Sequence, residues 1–421
     1  MKRKILFFSI LMTITAALII VSCKKSNPTP LSLGTLMAGT IDLNAATAPT
    51  NVPVKPEITA TFTTDVDAAT ATASNITLNE DYDNVSIALT ISASGKVVTI
   101  TPVTNLANGA LYKLAISTGL KATNGESLTA VNRSFTTMGS FLPAGPFAYW
   151  NFDGNANDQT GVYNPATNGI TAITYVAGRN AASGQAAQFN GTTSLIQIPN
   201  GNGLINTSDF SLSFWVNEDS TAKRDQFVMG LSAWFGFQFE INNNGNGKLG
   251  ECKLAAQYSL SDGTSASQDL WFNGGSTGTT KDNGGWQGWT FCKDLSSNNG
   301  TGVNGLLAKH WAQIVCTYDH ATKIGTLYIN GEKMKAQDYN LYGTTHPLYL
   351  ATGLKFNGNA ANNTFVFGFI QDKASPTILD TWADYNDPAN GHFKGLLDDV
   401  AIYHSVLSPS IITLMYNSGK P

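Results

Sequence analysis

The chain has 421 residues and a net charge of −4, with 13% charged residues, 10% aromatic residues and 40 glycines. That length holds two or three domains with a sizeable core. Few charged helix formers and many turn formers point to all-β architecture, and no basic run offers a nucleic-acid surface.

In chain order, Met1-Lys-Arg-Lys4 is positive, Ile5 to Val21 is apolar, and Ser22-Cys23 places a small residue before a cysteine. This is the pattern of a secretory signal, and it resembles the lipobox of bacterial lipoproteins. The resemblance implies that residues 1–23 are a signal peptide with Cys23 lipidated. A plain membrane helix is the competing reading, because the run is about long enough to span. Cys23 at its end, followed by Lys24 and Lys25, favours the anchor. Residues 24–31 read as a flexible or polyproline-like tether.

Residues 32–138 alternate short strands with turns. "PEITATFTTDV", "KVVTITPVTNL" and "ALYKLAIST" all have period two, and Leu106-Ala-Asn-Gly109 splits the last pair. A sandwich of about seven strands follows. The stretches "TNVPVKPEITATFTTDVDAATATASNITL", "VVTITPVTNLANGALYKLAIST" and "ATNGESLTAVNRSFTT" resemble the SbsA-type bacterial Ig-like domain, which implies a spacer.

Residues 139–146 form a Gly/Pro linker, and all eight Trp lie beyond it. Strand-like runs recur from "FAYWNF" to "GTLYING", and Asn330-Gly331 is a hairpin turn signal. "SPSIITLMYNSG" predicts one helix over 408–419, with Ser408 as N-cap, Pro409 at N1 and Gly419 at the stop. The segments "AYWNFDGNANDQTG", "AAQFNGTTSLIQIP", "DFSLSFWVN", "HWAQIVCTYDHATKIGTLYINGE" and "GLLDDVAIYHSVLSPSIITLMYN" together resemble the LamG-like, concanavalin A-like jelly roll of the Laminin_G_3 type. The expected fold is therefore an Ig-like sandwich followed by a concanavalin A-like jelly roll over 147–421. Residues 242–308 and 364–392 are longer than that pattern requires.

Several groups could carry chemistry. The carboxylate spacing of glycanases in this fold is missing, and no Gly-x-Ser-x-Gly elbow is present, so no catalytic residue is assigned. Asp153, Asn157 and Asp158 cluster in one turn, where they either form Asx turns or hold Ca²⁺. The resemblance favours Ca²⁺, and Asp398 then either accepts backbone N–H bonds from the N-terminal turn or helps hold the ion beside Asp153. Alternation along a strand would send Asp398 to the apolar face and Asp399 to the opposite one. Cys252 and Cys292 flank a Gly- and Asn-rich stretch in an exported, oxidising setting, so a disulfide is expected. Cys316 shares parity with Ala312, Ile314 and Tyr318 and reads as a buried thiol. Trp271, Trp286 and Trp289 stand among glycines and either stack on sugar rings or cap the core. Trp234, with Gln238 and Glu240 on the face away from Phe235, Phe237 and Phe239, which read as core, is a further candidate, with the loops around Trp234 and Trp382 as the fallback surface. The five His have no metal spacing.

These readings converge on an outer-membrane lipid-anchored protein, periplasmic or surface-facing, of a kind familiar from Bacteroidetes-like organisms. It would bind a glycan or glycosylated surface without catalysis. Adhesion to an envelope protein is the second reading, and glycan degradation the third.

Overall fold

The structure is a computed structural model that describes residues 29–223, 225–243, 250–274, 288–295, 302–359, 362–374 and 377–421. The chain divides into two compact units, one reaching to Asn105 and including Tyr112–Phe135, the other made of Leu106–Leu111 and Thr136–Pro421.

The first unit contains β1 (Leu33–Ala38), β2 (Ile41–Asp42), β3 (Ile58–Phe62), β4 (Ile76–Glu80), β5 (Leu89–Ser94), β6 (Val97–Pro102), β7 (Leu111–Ile116) and β8 (Val131–Thr136). They form a five-stranded sheet, β2-β1-β3-β6-β5, and a three-stranded sheet, β4-β7-β8. Period-two patterning is the cause. Ile58, Ala60 and Phe62 of β3 and Ile76 and Leu78 of β4 are buried, while their neighbours are not.

The second unit contains β9 (Ala148–Trp150), β10 (Ile170–Thr171), β11 (Thr174–Ala177), β12 (Gln185–Asn190), β13 (Leu195–Ile198), β14 (Phe210–Glu218), β15 (Asp225–Leu231), β16 (Phe237–Asn242), β17 (Glu251–Leu260), β18 (Ser265–Phe272), β19 (Trp289–Cys292), β20 (Trp311–Asp319), β21 (Ile324–Ile329), β22 (Glu332–Asp338), β23 (Ala351–Leu354), β24 (Phe365–Phe367) and β25 (Lys394–Tyr403). An eight-stranded sheet runs β10-β13-β24-β15-β16-β17-β18, with β23 on β17. A nine-stranded sheet runs β11-β12-β25-β14-β20-β21-β22-β19, with β9 on β25. Alternate residues of each meet between the sheets. Phe214 of β14 stands edge-on to Phe239 of β16 at 5.0 Å, and Phe210 meets Phe237 at 6.0 Å. Each such ring contributes roughly 1.5–3 kcal/mol through burial.

Residues 364–392, read from the sequence as an insertion, begin inside the sandwich. Their β24 pairs with both β13 and β15, and Phe365 and Phe367 are in the core. The chain then crosses to the outer face of the eight-stranded sheet. There Phe369, Ile370, Ile378 and Ala383 pack on Leu195, Phe227 and Val366.

The hairpin turn is present, with Asn330 at φ 55° and Gly331 at φ 75°. The helix Pro409–Gly419 forms as expected, and Ser408 accepts a hydrogen bond from the Ile411 N–H. Gly419 has a reason beyond stopping the helix. A Cβ there would meet the Trp215 ring at 3.0 Å, so a larger residue would push that ring or the helix end back by a few tenths of an ångström.

Candidate functional site

The outer face of the eight-stranded sheet carries the most developed candidate. On β16, Phe237, Phe239 and Ile241 point to the core, so Gln238, Glu240 and Asn242 point outward. Register places Lys253 opposite Glu240 and Trp271 opposite Lys253. A polar row results. Gln238 Nε2 donates to Glu240 Oε2 at 3.1 Å. The Lys253 ammonium lies 3.0 Å from Glu240 and 2.9 Å from Asp269. Burial raises the Glu240 carboxyl, and Lys253 opposes that shift.

Beside this row is a cleft of about 440 Å³, lined by Lys223, Asp225, Phe227, Glu240, Asn242, Trp382 and Asn390 among others. Trp382 is 40% exposed. Its ring meets Phe227 at 6.0 Å and stacks on Trp234 at 6.1 Å. An aromatic surface beside fixed carboxylate and amide groups can hold a flat, hydroxyl-rich ring by stacking and hydrogen bonds together.

Trp234 is therefore near the candidate site but half-buried, in the turn Ala233–Phe235, where it supports Trp382. Phe235, expected in the core by strand parity, is only half-buried, because it too is in that turn, ahead of the strand where the alternation begins. Trp382 is the ring the cleft presents. Its sequence signal was an aromatic in an Asp-, Asn- and Pro-rich loop.

Trp271 and Trp289 do come together, 5.9 Å apart. Trp271 Nε1 donates to Glu251 at 2.8 Å, and the buried Lys335 ammonium sits 3.2 Å from the Trp289 ring centroid. Burial pushes Lys335 down to about 8, opposed by Cys292. This pair is half-buried and closes the edge where β18 approaches β22. Trp286 lies outside the described residues, as does Cys23.

The Asp398–Asp399 pair differs from expectation. Asp399 adopts φ 46°, and the β14–β25 register skips there: Ser213 pairs with Ala401 but Trp215 with Asp398. This β-bulge resets the alternation. Leu397, Val400 and Ile402 reach the core, while Asp398 lies opposite Trp215 on the outer face. The carboxylates do not diverge. Arg179 NH1 pairs with Asp398, and Arg179 NH2 pairs with Asp399 at 2.5 Å. Tyr149 donates to Asp399 at 2.5 Å, and Arg179 Nε donates to the Gly419 carbonyl at 2.7 Å. The guanidinium also lies 4.4 Å over the Trp215 ring, which stacks on Tyr416 of the helix. Burial and the Asp399 charge raise the Asp398 carboxyl, and Arg179 opposes them.

The four expected Ca²⁺ ligands are not assembled into a shell. Asp158 accepts from the N–H groups of Tyr149, Thr160, Val162 and Tyr163 and from the Thr160 hydroxyl. These five donors saturate its oxygens. Burial would raise its carboxyl, but the Thr160, Tyr149 and Tyr163 bonds outweigh that and hold it low. Asp153 accepts from the Gln185 N–H and the Asn151 amide. Asn157 is exposed, its N–H on Asn155. At Asp398 the positive charge comes from Arg179, whose approach from residue 179 had no sequence signal.

Cys252, Cys292 and Cys316 are free thiols, so the expected disulfide is not formed. Cys252 points into the core from β17, whereas Cys292 lies on β19 of the other sheet. Cys316 is buried in the core, as its parity predicts. A larger groove of about 680 Å³ lies on the first unit between Leu43–Ala48 and Asn132–Ser134. Its lining has no aromatic ring, and we assign it no ligand.

Residues 40–137 match the family of bacterial Ig-like domains, Big_5. Residues 190–372 match the concanavalin A-like lectin/glucanases superfamily, Laminin_G_3. No curated protein matches the chain. Among solved structures it is similar to domain 4 of AbnA, a GH43 extracellular arabinanase from Geobacillus stearothermophilus, in complex with arabinotriose. Identity is 20% over 64% of this chain and 98% of that one, with a TM-score of 0.37. It is also similar to the binding domain of Paraclostridial Mosquitocidal Protein 1, at 16% identity over 65% and 51%, TM-score 0.39. A third is the botulinum neurotoxin serotype D ligand binding domain in complex with N-acetylneuraminic acid, at 14% over 65% and 51%, TM-score 0.38. The chain spans about half the length of these two toxin domains. At such scores the likenesses carry no argument about ligand or activity. From the family matches, the chain carries a bacterial Ig-like domain followed by a concanavalin A-like domain of the Laminin_G_3 type.

Proposed function

We propose that this is an envelope-anchored lipoprotein whose concanavalin A-like domain binds a glycan without cleaving it, with the Ig-like domain as spacer. The observation that carries the reading is the cleft. It places the exposed Trp382 ring beside Glu240, Asn242 and Asn390 on an outer sheet face. Sugars offer apolar ring faces edged by hydroxyls, and that combination suits this lining. The match to a lectin/glucanase superfamily supports the same ligand class. Glu240 and Asp269 share one ammonium, that of Lys253. The sequence has none of the carboxylate spacing of glycanases in this fold, which supports binding over turnover. The anchor rests on Cys23 and the apolar run before it.

The test is a glycan array with the full chain and with Trp382→Ala. The expected result is a set of hits that the variant loses by at least tenfold, in keeping with one stacked ring of about 1.4 kcal/mol or more. Retained binding in a folded Trp382→Ala chain removes the cleft from the account.

A further inference from the structure

We infer that Gln371 is a positioning residue for the proposed site, its side-chain amide fixing the turn that carries Trp382; this rests on the glycan-binding reading above. The Trp382 ring belongs to a short turn, Thr381–Ala383, in the chain that crosses the outer sheet face. Gln371 comes soon after β24 and is buried. Its Nε2 donates to the Ile378 carbonyl at 2.8 Å and to the Ala383 carbonyl at 3.0 Å. Its Oε1 accepts from the Ile378 N–H at 2.8 Å. A side-chain amide offers two N–H donors and one carbonyl, and here all of them are spent on the backbone of one loop. Ala383 is the residue next to the ring. Gln371 is not in the lining of the cleft, so it acts through Trp382 and not by touching a ligand.

The residue before it serves the supporting ring. The Ile370 carbonyl accepts from the Ala233 N–H at 3.2 Å, in the turn that carries Trp234. The two indoles stack at 6.1 Å. Residues 370 and 371 therefore anchor both turns from beneath, one by its backbone and one by its side chain. Buried backbone groups deprived of their partner amide are driven toward water. Without Gln371 the Trp382 turn would leave its seat, and a ligand would have to order the ring on binding.

The experiment is fluorine NMR of the full chain carrying fluorotryptophan, with the Trp382 resonance assigned as the one lost in Trp382→Phe. Gln371→Met fills similar space without an amide. The expected result is a shifted or broadened Trp382 resonance, together with that of Trp234, while the other six of the eight Trp hold still. On a glycan array read at graded protein concentrations, the hits should weaken by roughly two- to tenfold, the cost of ordering one side chain on binding. Gln371→Glu keeps the length and the acceptor but has no N–H for the carbonyls. It should act in the same direction, and it carries the test if Gln371→Met does not fold. In a folded variant, an unmoved Trp382 resonance or an equal shift of all eight overturns the inference. The two readings fail separately. If the array has no hits, or binding survives Trp382→Ala, the glycan site is wrong, while the resonance still reports the hold of Gln371 on the ring. If Trp382→Ala abolishes binding yet the Gln371 variants bind like the parent chain, only the positioning role is wrong.

Discussion

Removing Arg179 should unlatch the C-terminal helix from the second domain. Its guanidinium pairs with Asp398 and Asp399, whose side chains are 0% and 12% exposed. In Arg179→Ala both carboxylates lose their cation while still buried. Breaking one partner out of a buried ion pair costs about 3–5 kcal/mol. The lost hydrogen bond to the Gly419 carbonyl adds about 1 kcal/mol. A loss of roughly 4–6 kcal/mol is a large share of a typical domain's stability. The cost should grow with pH. Asp398 already has a raised carboxyl pKa in the fold, so its protonated form is favoured there over the unfolded chain. Stability from that form is present below the ordinary carboxylate range and fades as pH rises. Without Arg179 the carboxyl relies still more on its proton. The assay is urea unfolding followed by tryptophan emission. All eight Trp lie after residue 146, so the signal reports the second domain alone. Asp398→Asn with Asp399→Asn, added to Arg179→Ala, should recover much of the loss. A loss below about 1 kcal/mol, or no recovery in the triple variant, would refute the latch.

Two further outcomes follow from buried groups. Glu218 is fully buried, takes hydrogen bonds from Gln226 and Asn243, and is pushed by burial up to about 7. Its contribution is full below its ordinary 4.5 and is lost as pH rises through about 7. It is worth roughly 3 kcal/mol over that window. Urea midpoints of Glu218→Gln should be flatter across it than those of the parent chain, and an identical slope would exclude Glu218 as the source. Because Cys252 and Cys292 are free, reductant should leave the tryptophan-monitored midpoint unmoved. A drop matching the 2–4 kcal/mol of a closed loop would restore the disulfide.

Local pattern was legible wherever the physics is local. The period-two strands, the Asn330-Gly331 turn and the Ser408-capped helix are set by neighbours in sequence. So are the outward parity of Gln238 and Glu240 and the inward parity of Cys316, because a strand's alternation fixes them once its register is fixed. What failed was what depends on distant segments. One αL residue, Asp399, shifted the alternation and put both carboxylates within reach of Arg179, more than 200 residues away. Trp382 became the ring of the cleft because the chain after β24 folds back over the eight-stranded sheet, while Trp271 was drawn into an edge with Trp289 and Lys335. Asp158 was taken up by backbone donors that only a folded turn can aim. The sequence by itself determined the strand pattern and the two resemblances, since these rest on periodicity and ordered motifs. Only the tertiary structure decided which rings, cations and carboxylates meet, because charge pairing and stacking act through space between segments that the sequence does not place together.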